Sequence, residues 1–573
     1  MTAATTTTVP LKVKKPAKEK EPAIQKLERD GETYVSLLKA PTDIKDTVQN
    51  VLGEIVGFHK ARSYSYLYPV SDLLGFRDNL VKEMGDYGEH IEDKKNKFHN
   101  FLIIIDEFAT KVRGQLKEKI ARGSIEFGDV PYLLEKGMEV TTSRDGYRIG
   151  GVIESVQLRV TMFRTYYEIK MNVINNVYGH VADLPYTAAI GYFTGLKGIQ
   201  DLSVAPVTDD EKAELTARGE KFKKYSVGAH YIHYTGQLVR SSWYGPRMYR
   251  ADGRAMLDVS SFSQIDNNQY SNEGYQSGIE EAREERNNKV NMEIQDQDLW
   301  RTYPFVYGFS LSSKHWGRMA LEGVSDIAFR EDAFEKLVLP AADKELVKAI
   351  VSDDGNDFSD LIDGKGGGSI FLLHGPPGQG KTLTAEAIAE ELKRPLYSIS
   401  VGELGTNPDS LESTLREILD VATVWNSVLL LDEADIFLEE RDEKDIVRNA
   451  MVGVFLRLLE YHQGVLFLTT NRVKNIDQAF YSRISIGLRF GEGTVEKRKS
   501  IWTNLTTAAD VPGLDLDALA QHDLNGRQIK NVIKLAVKLA RSKGNAVDNA
   551  LIDSVIARTG NFTNEEQTGD TNR

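Results

Sequence analysis

The 573-residue sequence predicts a multidomain chain. An α+β, mainly β N-terminal region precedes an α/β core with a parallel sheet and a small α-helical lid. Three observations predict this. The length exceeds what one hydrophobic core normally organises. Between about 125 and 262 the chain is rich in β-branched and aromatic residues in partial alternation. From about 300 onward, short apolar runs alternate with helical spacing, and a helical block closes the chain.

Taken in order, residues 1–28 hold a Thr run and then Lys12, Lys14, Lys15, Lys18 and Lys20, with few apolar groups to offset ordering entropy. They read as a disordered basic tail, with nuclear import or polyanion contact as its functional alternative. Residues 29–124 read as mostly helical, because Phe101, Leu102, Ile105, Phe108, Val112 and Leu116 recur at threes and fours. Residues 125–262 form the β-rich domain. Its strand candidates include 151–160 and 166–173, and Asp145-Gly146 and Asp252-Gly253 mark turns. Residues 263–299 read as a flexible linker whose charge run at 280–286 is a solvated face. The α/β core is expected at 300–493, the helical lid at 494–561 and a loose C-terminus at 562–573.

Composition narrows the function classes. Hydrophobic residues are 41% and charged residues 27%, within the ordinary globular range. The net charge of −13 argues against a chain-wide nucleic-acid binder. No cysteine is present, which excludes disulfides, thiolate nucleophiles and zinc–cysteine sites. No apolar stretch is long enough to span a membrane, and the chain reads as intracellular, with the cytoplasm as the expected place and the nucleus as its alternative. His230 and His233 could suggest a metal pair, but three-residue spacing on a strand points the rings to opposite faces. Lys221, Lys223 and Lys224 read as a solvated face.

The chemistry concentrates in the second half. The apolar run 369–373 leads into Gly375, Pro376, Pro377, Gly378, Gln379, Gly380, Lys381 and Thr382, and then into a helical run opening at Leu383. This is a P-loop in its strand–loop–helix setting: backbone N–H groups and the helix N-terminus face a phosphate. Lys381 would reach the β- and γ-phosphates and Thr382 would ligate Mg²⁺. A second apolar run, 428–431, delivers Asp432 and Glu433, the first suited to hold Mg²⁺ and the second to orient and deprotonate water. The similar run at 102–107 has no phosphate loop before it and lies inside a helical pattern. A third buried strand, 464–471, ends in the amide of Asn471. Ser482-Arg483 follows, and Asn525-Gly526-Arg527 opens a later helix.

In this order and spacing the blocks resemble the AAA (AAA+) ATPase superfamily. Further blocks, among them 334–340, 372–377, 455–461 and, upstream, 230–236 and 252–258, resemble a mostly fungal AAA family with a long uncharacterised N-terminal region. The resemblance implies that Asn471 (sensor 1), Arg483 (arginine finger) and Arg527 (sensor 2) join Glu433 as catalytic residues, and that residues 375–383 bind ATP with Mg²⁺. It also implies a homo-oligomer, usually a hexamer, with ATP held between subunits. A protein client or adaptor would bind the N-terminal domain and be remodelled or disassembled. The alternative is an ATP-dependent assembly switch that pulls on nothing. One departure bears on this choice: residues 401–409, where threading AAA proteins carry an aromatic first pore loop, hold no aromatic residue. A second pore loop would fall at 440–445.

Overall fold

The computed structural model describes residues 24–29, most of 32–48, 67–69, 99–265, 292–352 and 368–568, with short interruptions inside the longer ranges. The expected basic tail lies outside the described residues up to position 23. Its last part is a strand: β1 (Gln25–Arg29) pairs antiparallel with β2 (Glu32–Ser36), which pairs with β3 (Leu67–Pro69). Val35 and Leu37, both fully buried, give this small sheet its apolar side. Among the described residues of 29–124 helix is the commonest state, above all in His99–Ala121, which buries Phe101, Ile105 and Leu116, while β2 and β3 add strands ahead of it. Residues 102–107 lie inside that helix.

After β4 (Ser124–Ile125) come β5 (Glu139–Arg144), β6 (Tyr147–Val160), β7 (Thr165–Val177), β8 (His180–Gly191), β9 (Lys197–Gly198) and β10 (Val204–Pro206). Five of these form an antiparallel sheet in the order β10-β5-β6-β7-β8. Asp145 and Gly146 take positive φ (51° and 86°) in the tight turn between β5 and β6, where both residue types tolerate it. The helix Asp209–Tyr225 starts at a capping box in which Thr208 and Glu211 satisfy each other's backbone N–H.

The next sheet contains β11 (His230–Arg240), β12 (Arg247–Leu257), β13 (Phe305–Ser310), β14 (His315–Ala320) and β15 (Val324–Ser325). β12, β13, β14 and β11 pair in sequence and β11 pairs back onto β12, so four strands close on themselves and leave no open edge among them. The expected boundary at 300 is thus corrected: β13 to β15 belong to the N-terminal region, and one core cluster spans both sheets. A run such as Phe305–Ser310, buried at every position, suits a parallel-sheet strand and a closed-barrel strand equally. The linker reading of 263–299 holds no better at its ends. Val259–Ile265 is helical, and the 3₁₀ segment Asp296–Arg301 buries Leu299 and Trp300 against the β core; 266–291 lies outside the described residues. The Nε2 of His230 lies 2.6 Å from the Val227 carbonyl oxygen. Lys221 donates to the carbonyls of Leu321 and Val324, while Lys223 and Lys224 pair with Asp296 and Asp326.

The nucleotide-region sheet is parallel throughout: β16 (Ser369–His374), β17 (Leu396–Ser400), β18 (Val428–Asp432), β19 (Val465–Thr470) and β20 (Ile486–Arg489), in the order β17-β18-β19-β16-β20. The helices Lys381–Glu391, Pro408–Val424 and Ile446–Glu460 cover it, and Leu429, Leu431, Leu466 and Leu468 fill one face of the core. The lid consists of Val495–Ala508, Leu516–Ala520, Gly526–Lys543 and Asn549–Thr568, packed around Trp502, Ile529 and Ile552. The last helix runs to Thr568, beyond the expected end near 561, since Glu565, Glu566 and Gln567 are good helix formers.

The closed N-terminal sheet docks beside edge strand β17. Phe309, Trp316, Tyr397 and Trp425 make a continuous aromatic cluster there. Inside it, Trp425 Nε1–H donates to Asp258 at 2.8 Å, both residues being buried. Arg254 pairs with Glu390 at 2.6 Å, and Lys314 with Glu403 at 2.6 Å. No helix among the described residues is long and apolar enough to cross a membrane.

Candidate functional site

Parallel pairing sets the site. β16 is in register with β19 from Ser369↔Val465 to His374↔Thr470, and β18 with β19 from Val428↔Val465 to Leu431↔Leu468. All three strands therefore end at one edge, where the chain turns into Gly375, Glu433 and Asn471. Such a row of carboxyl ends is where open α/β sheets bind ligands.

The loop after β16 bends through positive φ at Gly375 (146°), Gly378 (77°) and Gly380 (98°), and the helix Lys381–Glu391 starts at Gly380. Pro376, Pro377 and Gln379 fill the turn between them. A side chain at Gly378 would meet Asn525 of the lid at 2.7 Å, and Gly526 N–H donates to Gly378 O at 3.1 Å. The start of the lid helix Gly526–Lys543 thus rests directly on the phosphate-type loop. Its own N-cap, Asn525, shares a capping box with Gln528. Asn525 was not among the expected site residues; only the packing of lid on loop shows its place.

Lys381 is 8% exposed, and its Nζ donates to the carbonyls of Gly375 (2.7 Å) and Pro376 (2.9 Å) and to Asn471 Oδ1 (2.8 Å). Burial holds this ammonium below the usual lysine range; Asp432 and Asp435 oppose the shift and Arg527 adds to it. Thr382 Oγ1 lies 3.4 Å from both oxygens of Asp432. Thr469 Oγ1 donates to Asp432 and accepts the Glu433 N–H at 2.9 Å. Glu433 itself sits at φ 57°, a left-handed conformation rare for a non-glycine residue and costing on the order of 1 kcal/mol or more. Glu433 is exposed and directly follows the carboxyl end of β18. Asp435 accepts from the Thr470 hydroxyl and from Asn471 N–H (3.2 Å), which fixes the end of β19. Thr469, Thr470 and Asp435 are further parts that the sequence reading passed over. Their only signal was a run of polar residues where an apolar strand stops.

Other expected residues are placed differently. Leu383 is 56% exposed on the first turn of its helix. Arg527 stands exposed beside the loop, close enough to act on Lys381. Arg483 lies apart from the cluster: its guanidinium donates to Ala479 O (3.0 Å) and pairs with Glu460 at 3.2 Å. The donor set fits a divalent cation with phosphate: a hydroxyl facing a carboxylate, hard oxygens both, beside a buried ammonium. Among the described residues, no cluster of three or more His, Cys, Asp or Glu side chains forms a protein-only metal cage.

Comparison with known proteins agrees with this geometry. Residues 371–492 match the family described as "ATPase family associated with various cellular activities (AAA)", and residues 115–211 match a domain of unknown function, DUF7025. The chain is similar to a probable spastin homolog, spas-1, of Caenorhabditis briggsae (32% identical over 27% of this chain and 29% of that protein). It is also similar to the protein CdcH of Halobacterium salinarum (31% identical over 30% and 24% of the two chains). A probable mitochondrial chaperone, bcs1, of Schizosaccharomyces pombe is 29% identical over 27% of this chain and 37% of that protein. Each match thus spans well under half of the relative. With a P-loop, an acidic strand end and a polar third strand on one parallel sheet, the chain carries an AAA ATPase domain, matched over residues 371–492, with a DUF7025 domain upstream of it.

Proposed function

We propose that this chain binds and hydrolyses ATP and uses the cycle to remodel or disassemble a protein client received by its N-terminal domain. One observation carries the proposal: Lys381, Thr382, Asp432 and Asn471 converge at a single sheet edge, linked by contacts of 2.8 to 3.4 Å. Residues 375–383 would wrap the triphosphate, and its γ-phosphate would take over Lys381 from the carbonyls that hold it now. Thr382 and Asp432 would hold Mg²⁺, which when bound supplies neutralisation of the phosphate charge. Glu433 would orient the attacking water and accept its proton. Asn471, kept in place by Asp435, would fix the γ-phosphate or that water. Arg527 would add positive charge from the lid in cis, and Arg483 would serve the site of a neighbouring subunit in a homo-oligomer, a hexamer by analogy with the family.

Two observations favour a second reading, an assembly switch that pulls on nothing. The stretch 401–409 lacks an aromatic residue, and Glu403 within it is tied to Lys314 of the N-terminal sheet and to Ser400. A segment held in this way grips a moving chain poorly.

The test is a pair of variants. Lys381→Ala is expected to lose ATP binding, and Glu433→Gln to bind ATP while its turnover falls by about 100-fold or more. Undiminished turnover in Glu433→Gln would overturn the site assignment. Full biological activity of a Glu433→Gln chain that no longer hydrolyses ATP would decide for the switch.

A further inference from the structure

The DUF7025 sheet presents an aromatic end that the nucleotide chemistry does not use. The hairpin joining β6 to β7 closes with Thr161 N–H donating to Arg164 O at 2.9 Å, and Phe163 at its tip is 87% exposed. The end of β8 lies alongside: Tyr166 is in register with Gly191, and Tyr192 N–H donates to Thr165 O at 3.0 Å. Tyr192, 62% exposed, therefore shares one end of the sheet with Phe163, and Leu196, also 62% exposed, directly precedes Lys197, whose ammonium lies over the Phe193 ring. Beneath them Phe127 meets Tyr192, Phe193 and Tyr167 at 4.7 to 5.6 Å between ring centroids, so the outer rings stand on a packed base.

Large apolar side chains this exposed, gathered rather than scattered, mark a binding surface. Two cations stand among them. Lys197 lies over the Phe193 ring at 5.5 Å and Arg164 is exposed at the tip; of the acids at this end, Glu168 is held by Arg159 at 2.8 Å and Asp201 lies against Gly198. On a chain of net charge −13, Arg164 and Lys197 beside exposed apolar rings are complementary to an acidic segment.

We propose that this end of the sheet docks an unfolded polypeptide segment in which apolar residues stand next to acidic ones. The proposal rests on the reading that the N-terminal region receives a client. Phe163, Tyr192 and Leu196 take the apolar side chains, and Arg164 and Lys197 face the carboxylates.

The probe is fluorescently labelled α-lactalbumin, reduced and carboxymethylated so that it stays unfolded and acidic. Binding to the full chain is measured by anisotropy in the Glu433→Gln background, so that it does not depend on hydrolysis. The combined variant Phe163→Ser, Tyr192→Ser, Leu196→Ser is expected to bind at least about tenfold more weakly. Arg164→Glu with Lys197→Glu should weaken binding and flatten its salt dependence. Both sets lie on the surface, so ATP turnover in otherwise wild-type chains should be unchanged. Equal binding by parent and variants overturns the proposal, as does absence of binding by the parent. So does patch-dependent binding to phosphatidylserine vesicles without polypeptide binding, or loss of self-association in the triple variant without any change in probe binding. Failure of the ATPase reading would show instead as missing turnover in the wild-type chain, which this assay does not touch.

Discussion

At the residue scale, the site combines strain with burial. Glu433 is held in a left-handed conformation by two bonds from residue 469, Glu433 N–H to Thr469 Oγ1 and Ala434 N–H to Thr469 O, both 2.9 Å. Its unusual backbone conformation is held by these surrounding bonds. A second buried group makes a separate prediction. His462 is 5% exposed, and burial lowers its pKa to about 4. Between about pH 4 and 6.5 the unfolded chain binds a proton that the folded chain refuses, so folding loses stability as pH falls through that window. The loss at pH 5 is about 2 kcal/mol. His462→Phe should remove that part of the acid sensitivity, and thermal melts of both chains at pH 7 and pH 5 would measure it. An unchanged gap between the two pH values would show that the histidine is not the source. Nothing in the bare sequence around His462 announces a buried imidazole; only the packing reveals it.

At the element scale, two contacts join parts that sequence separates widely. The lid helix Gly526–Lys543 rests on the phosphate-type loop through Gly526 and Asn525. Gly378→Ala would place a methyl group 2.7 Å from Asn525 at φ 77°, so it should both strain the loop and push the lid away. The expected outcome is ATP affinity reduced by about tenfold or more, measured by titration with a fluorescent ATP analogue, with the core still folded. The second contact is the dock beside β17. Trp425→Phe removes the indole donor to buried Asp258, a loss of about 1 to 3 kcal/mol. Calorimetry should then resolve the unfolding of the N-terminal sheets from that of the nucleotide core. If the two still melt as before, the aromatic cluster is not what couples them. Arg254 pairs with Glu390 near the end of the helix that begins at Lys381, so the same dock touches both the edge strand and the P-loop helix.

At the scale of the whole molecule, the role proposed for Arg483 requires a second subunit. Its present partners, Ala479 O and Glu460, lie on its own chain and away from the loop it would serve. If shared sites form between chains, turnover per subunit should rise with protein concentration. Arg483→Ala should keep ATP affinity but lower turnover by about 10³-fold. Mixing it with Glu433→Gln subunits should restore part of the rate, since an intact finger then meets an intact site. Turnover unaffected in Arg483→Ala, at any concentration, would remove the arginine from the mechanism.

The local order of residues determined much of this protein. The P-loop, the acidic strand end and the polar end of β19 were legible because each is a contiguous pattern whose chemistry requires particular residue types at fixed spacing. Helical periodicity in His99–Ala121 and the turn at Asp145-Gly146 were legible for the same reason. Tertiary structure alone decided the rest. It assigned Phe305–Ser310 to a closed β sheet rather than to the parallel core, because an apolar run carries no record of its pairing partner. It brought Asn525 to Gly378 and Trp425 to Asp258 across long stretches of chain. It gathered Phe163 and Tyr192 onto one sheet end. Short-range patterns fix which backbone states are cheap, whereas long-range contacts depend on register and packing, which no local window of sequence contains.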